Sequence, residues 1–204
     1  MRTGFRNVLI FVFAGLIFTG CMGGPKVSRV DSSTQTDLSA KWNDTDSRLV
    51  AEEMITDMLT FPWIKQFQKK NTGENPTVII KGIRNKSHEH IAIDTFINDI
   101  KRAGIRSGKV EFVVGGAERM DIREERKEQD IYSSDESRAE MGQEEGADFA
   151  LSGSINSIVD QVGGTKVVFY QVDLKLVDMT KNMEVWNGQK KIKKVMERSK
   201  FSVF

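Results

Sequence analysis

The last third of the chain carries the pattern that most constrains its fold. Phe149, Leu151, Ile155 and Val159 alternate with polar or small residues, Gly163-Gly164 supplies a turn, and Val168, Tyr170, Val172, Leu174 and Leu176 alternate again. A period of two puts each set on one side of a strand, so the stretch predicts a long antiparallel hairpin with one apolar face. Thr180-Lys181-Asn182 then turns the chain into a third strand, Glu184–Ile192, carrying Trp186. Three consecutive meander strands argue against a doubly wound nucleotide-binding sheet, and a sheet with one apolar face needs a layer to cover it.

The middle of the chain supplies that layer. Val50, Met54 and Met58 recur at spacing four, widened by Leu49, Ile55 and Leu59, behind the helix-start residues Asp44, Thr45 and Asp46; a helix over Asp46–Thr60 follows. Pro62 cannot continue it but can open a shorter helical piece, Pro62–Lys70, exposing Lys65, Lys69 and Lys70. Thr77–Ile83 is β-branched and reads as a short strand buried on both faces. Ile93, Phe96, Ile97, Ile100 and Ala103 form a helical stripe within Ile91–Arg106, and Val110, Phe112 and Val114 alternate in a strand over Lys109–Val114. The charged stretches Glu118–Asp130 and Ser133–Gly146 read as one long or two short solvated helices. The expected fold is α+β, a mixed sheet with a C-terminal antiparallel meander and helices packed mainly on one face.

The N-terminus is organised differently. Arg2 and Arg6 precede an uncharged apolar run from Val8 to Phe18, then Thr19-Gly20 and the only cysteine, Cys21. A run of about eleven residues is too short to span a bilayer, which needs roughly twenty. Phe18-Thr19-Gly20-Cys21 resembles the lipobox of bacterial lipoproteins, which implies a diacylglyceryl thioether on Cys21 and an acylated new N-terminus. Two or three acyl chains, at about 0.8 kcal/mol per buried methylene, anchor a protein stably. The expected organisation is a signal peptide over 1–20, a lipidated flexible tether over 21–40, an α+β domain over 41–194 and a basic and apolar tail over 195–204. A tether of ~20–24 residues reaches at most ~70–85 Å. An acylated lone cysteine can form no disulfide, so stability must come from the core.

Composition excludes several functions. Losing Arg2 and Arg6 with the signal leaves 28 basic side chains against 29 acidic, so no polycation signal for nucleic acid exists. His88-Glu89-His90 could offer two imidazoles, but no third histidine or free cysteine joins them, and the segment reads as a polar connector; no metal or other cofactor is expected. Ser152-Gly153-Ser154 in an alternating strand is no nucleophile elbow. Neither Gly115-Gly116 nor Gly163-Gly164 is followed by the Lys-Ser/Thr of a phosphate loop. The chain is therefore expected not to be an enzyme. Two surface features remain. In Arg119–Glu128, Arg119, Arg123, Arg126 and Lys127 interleave with four acids, as a solvated helix or a protein contact would, beside the anchor-type Tyr132. The segment Lys190–Phe204 gathers six cations, as a frayed end or as a contact for an anionic surface.

Several segments together resemble the LpoB-type lipoprotein activators of penicillin-binding proteins. They are Asp37–Val50, Ile83-Arg84-Asn85-Lys86-Ser87, Ile122-Arg123-Glu124-Glu125-Arg126, Gly146-Ala147-Asp148-Phe149 through Gly153-Ser154-Ile155, Val167–Leu174, Val185-Trp186 and Gln189–Lys194. The resemblance implies a fold similar to the N-terminal domain of TolB. It also implies a periplasmic lipoprotein that binds a bifunctional peptidoglycan synthase, a class A penicillin-binding protein, and stimulates cell-wall synthesis. Met22, in place of the Asp that favours inner-membrane retention, directs the expectation to the outer membrane. On this reading the domain acts as a monomer and docks through a polar helical face bearing Arg123, Arg126, Tyr132 and Arg138. Rival readings are a lipoprotein component of an envelope assembly or secretion complex, and an envelope hydrolase using His88 and His90. Membrane-spanning hairpins in the first rival would need extra strands of roughly nine to eleven residues, and the chain has no spare pair.

Overall fold

The computed structural model describes residues 27–134 and 144–197; Cys21, Arg138 and residues 198–204 lie outside them. The chain divides into two compact units, residues 1–34 and residues 35–204. In the described part of the first, the Asp31 carboxylate accepts the Ser33 N–H at 2.8 Å and Thr34 N–H donates to the Asp31 carbonyl at 3.0 Å, forming one turn.

The second unit contains, in chain order, α1 (Asp44–Thr60), α2 (Trp63–Lys70), β1 (Thr77–Lys86), α3 (Ile93–Arg106), β2 (Glu111–Phe112), α4 (Gly116–Tyr132), β3 (Phe149–Val162), β4 (Thr165–Asp178) and β5 (Met183–Glu197). The strands form one mixed sheet in the order β2-β1-β3-β4-β5. β1 is parallel to β2 and β3, whereas β3, β4 and β5 form an antiparallel meander. The fold is α+β, as the alternation of apolar residues indicates.

Register divides the sheet cleanly into two faces, because directly paired residues share a side. One face carries Leu151, Leu176 and Trp186 in one row and Ile155, Val172 and Lys190 in another. These apolar side chains pack with Val50, Met54, Met58, Phe96 and Ile100 from α1 and α3 into a single core. Trp63 of α2 closes one end, edge-on to Phe149 at 4.7 Å, and its indole N–H donates to the Met58 carbonyl at 2.9 Å.

Differences from the expected boundaries have physical causes. α1 starts two residues early because Asn43 caps it: the Asn43 side chain accepts the Asp46 N–H at 3.0 Å, and the Asp46 carboxylate accepts the Asn43 N–H at 3.0 Å. Leu49, expected on the apolar stripe, is 46% exposed. β1 runs on to Lys86 because β3 pairs with it that far, and a bulge between Ile80 and Gly82 lets Ile80 and Ile83 share the helix-covered side. β2 is reduced to two residues, since the chain bends away at Gly115-Gly116, where Gly116 has φ +62°. β5 continues past the expected Ile192 to Glu197, so Lys193 and Lys194 also belong to the strand.

Candidate functional site

Two side-chain networks fix the segment that leads into α1. Tyr170, in the middle of β4, donates from its hydroxyl to the Ala40 carbonyl at 3.1 Å and to the Glu89 carboxylate. The same carboxylate accepts the Trp42 N–H at 2.8 Å, and the Trp42 ring stands edge-on to Tyr170 and Phe96. Burial, and next the Glu89 carboxylate beside it, holds the Tyr170 phenol above its usual pKa, so it stays a donor. His88 is equally occupied: its backbone N–H donates to Ser157 Oγ at 3.0 Å, and its Nδ1 lies 3.1 Å from the same oxygen. His88 and Glu89 therefore latch this segment to the sheet; among the described residues no group of three metal-ligating side chains forms.

The second network centres on Lys194 of β5. Its ammonium contacts Asp46 at 2.6 Å, Asp37 at 2.9 Å and the Lys41 carbonyl at 3.0 Å, while only 12% of the side chain is exposed. Burial works against that charge, but the bonds to Asp46 and Asp37 outweigh it and raise the pKa above the usual 10.5. Asp37 is correspondingly held down to about 2, first by Lys194 and then by Gln35 and Asn43. Nearby, an open groove of about 1240 Å³ runs between α1 and β5, where Lys190 pairs with Glu53. Neither Glu89, Tyr170 nor Lys194 was singled out from sequence for these roles, because the partners of each lie far away along the chain.

The residues that were singled out fall apart into two groups. α4 has no buried residue, and its hydrogen bonds and ion pairs tie it to Glu144, Val114 and Lys101. Arg123 grips Glu144 bidentately at 2.7 and 2.8 Å, with Arg119 and Arg126 each 3.9 Å from the same carboxylate. Arg119 also donates to the Val114 carbonyl at 2.7 Å, and Lys101 approaches Glu118 at 3.9 Å. Arg119 and Arg126 line a cavity of about 290 Å³ with Ile122, Phe112 and Thr77. Tyr132 lies nine residues beyond Arg123, half a turn round the helix, and is 84% exposed. Arg138 lies outside the described residues.

The second sheet face was not foreseen as a site. It presents Gly82, Ser152, Lys175 and Asn187 in one row, Arg84, Ser154, Asp173 and Gln189 in the next, and Lys86, Asn156, Gln171 and Lys191 in a third. Beyond them, Ile158, Phe169 and Lys193 form a fourth row. Asp173 sits at the centre, accepting from Gln171 at 3.0 Å, Gln189 at 2.9 Å and Asn156 at 3.4 Å.

A family model described as peptidoglycan-synthase activator LpoB matches residues 46–192. The chain belongs to that family. The LpoB match begins at the capping Asp46 of α1 and ends at Ile192 of β5, so it takes in part or all of every element, the whole of α4 included. Among solved structures, the LpoB C-terminal domain from Salmonella enterica aligns over 72% of this chain and 98% of its own, at 12% identity and a TM-score of 0.41. The NMR structure of E. coli LpoB aligns over 88% and 87% at 13% identity and a TM-score of 0.40, and lipoprotein GNA1162 from Neisseria meningitidis over 63% and 89% at 12% and 0.38. At those scores no residue is carried from these molecules to this one. No curated protein matches the chain. The LpoB family is described by activation of a synthase, not by catalysis of its own. Among the described residues no helix is long and apolar enough to cross a membrane.

Proposed function

We propose that this chain is a lipid-anchored envelope protein that binds a bifunctional peptidoglycan synthase, a class A penicillin-binding protein, and raises its rate of glycan polymerisation. The family match over residues 46–192 carries this reading. Cys21 bears the lipid, residues 1–20 are the signal removed on export, and the acylated chain is held at the outer membrane with its domain facing the periplasm. The domain acts as a monomer and without a cofactor. On α4, Tyr132 supplies an exposed aromatic anchor, while Arg123 and Arg126 hold the helix in place through Glu144; Arg138 follows on the same stretch of chain.

Activation then operates as a shift in conformer population. Raising an active synthase conformer from ~10% to ~50% needs only about ninefold tighter binding to it, about 1.3 kcal/mol, a modest demand on a regulatory interface. The chain from Met22 onward, which retains the whole compact unit, should raise the polymerisation rate of a purified class A synthase from the same cell. An unchanged rate with every such synthase would end this reading.

A further inference from the structure

The face of the sheet turned away from α1 and α3 has the layout of a docking plate. Its central residues, Ser152, Ser154, Asn156, Gln171 and Asp173, lie on the inner strands β3 and β4 and are half-buried by their neighbours. On the β1 flank stand Arg84 and Lys86, and on the β5 flank Lys191 and Lys193. All four are exposed, and none makes an ion pair or side-chain hydrogen bond among the described residues. That contrasts with Lys190 and Lys194 on the other side of the same strand, both paired. An apolar corner adjoins the β5 cations: Ile158 is 65% and Val195 57% exposed, and Phe169 lies between the strands that carry them.

We infer that this face receives an acidic surface of the synthase, with carboxylates meeting the two cationic flanks and an apolar side chain entering the Ile158–Phe169 corner. The inference rests on the synthase-binding reading above and names the surface used. Charge geometry selects the partner. β1 and β5 are three strand spacings apart, so the flanks lie roughly 14 Å from one another. Asp173 stands between them, where it repels a continuous polyanion and favours a donor. An acidic protein surface can hold acid, donor and acid fixed at that spacing, whereas the headgroups of a fluid bilayer keep no fixed register. The hydroxyl and amide side chains in the central rows fix orientation, as specific protein interfaces require. Size agrees with a transient regulator. From Ala150 to Asp160 on β3 and across β1 to β5, the plate measures roughly 34 by 14 Å, below the ~800 Å² per partner of a standard stable interface. α4 begins at one corner of the plate, since a Cβ at Gly115 would meet Ile79 Cδ1 at 2.8 Å and Ile79 is the β1 residue in row with Ala150.

The test compares the chain from Met22 onward with its Lys86→Glu/Lys191→Glu and Ile158→Asp variants. Lys65→Glu/Lys69→Glu, at two exposed lysines of α2, serves as a control of equal charge change. Binding to a purified class A synthase is titrated and polymerisation is assayed in parallel, with unchanged circular dichroism confirming the fold of each variant. The expected result is at least tenfold weaker binding for both face variants, with stimulation lost in proportion, and less than twofold change for the control. If the unaltered chain binds and stimulates while the face variants match it, the plate is overturned and the synthase reading stands. If the unaltered chain binds no such synthase, both fall. Two further outcomes also overturn the plate: loss of binding on ending the chain at Glu197, which would make the tail the contact, and binding to phosphatidylglycerol vesicles that only the face variants lose.

Discussion

Lys194 illustrates how one side chain can fasten an otherwise polar approach to a core. It joins the N-terminal turn of α1 through Asp46 to the incoming segment through Asp37, at a site where Asp46 is only 9% exposed. Removing the cation leaves a nearly buried carboxylate without its charged donor, so Lys194→Met should cost about 2–3 kcal/mol in a denaturant titration. The pH signature follows from the direction of the shifts. The Asp37 pKa is depressed to about 2, so its contribution is complete above its usual 3.8 and disappears as pH falls through about 2. Lys194 is raised, so its contribution is complete below 10.5 and disappears as pH rises through its higher folded value. Asp37→Asn should therefore lower stability at pH 7 and flatten the acid limb between pH 4 and 2. An acid limb as steep as that of the unaltered chain would mean that Asp37 is not the titrating group.

At the level of elements, α4 stands apart from the other three helices because nothing on it is buried. Its position depends on polar ties, foremost the arginines around Glu144, whose own pKa is lowered chiefly by the Arg123 hydrogen bonds. Exposed ion pairs contribute little to global stability but can hold a local element in one pose. Glu144→Ala should leave the thermal midpoint unchanged while speeding amide exchange across Gly116–Tyr132, measured by mass spectrometry; unaltered exchange there would show that the arginine cluster does not position the helix. The same contrast explains what could be read from the chain. α1, α3, β3 and β4 were legible because each carries an apolar period set by the core they share. The end of β1 and the continuation of β5 beyond Ile192 were not, because Arg84-Asn85-Lys86 and Lys193-Lys194 are polar and owe their strand state to pairing with β3 and β4. The Arg119–Glu128 stretch showed its solvated character in composition, but the convergence on Glu144 spans a chain separation that no local pattern reports. The second sheet face was illegible for a related reason. Its residues read as the polar half of each alternation, and only the register shows Arg84, Ser154, Asp173 and Gln189 standing side by side.

For the molecule as a whole, the decisive quantity under the proposed function is reach. Ala40, expected at the end of a tether, is buried at 5% exposure, and Asp37 is bound to Lys194, so free chain can extend no further than the residues before Asp37. From Cys21 to Asp37 is 16 residues, which fully extended cover at most about 55 Å. An anchored domain on that length must find its synthase close to the membrane that holds the lipid. Deleting residues 24–33 cuts the maximal span by about 35 Å without touching any residue of the second compact unit. The deletion should leave stimulation by the unlipidated chain intact in solution yet abolish its activity in cells, and ten Gly/Ser residues inserted in the gap should restore it, because such a linker spans the distance without specific contacts. Cells in which the deleted form works as well as the intact one would show that the partner meets the domain at the membrane surface itself. Loss of stimulation in solution would instead place part of the contact within residues 24–33.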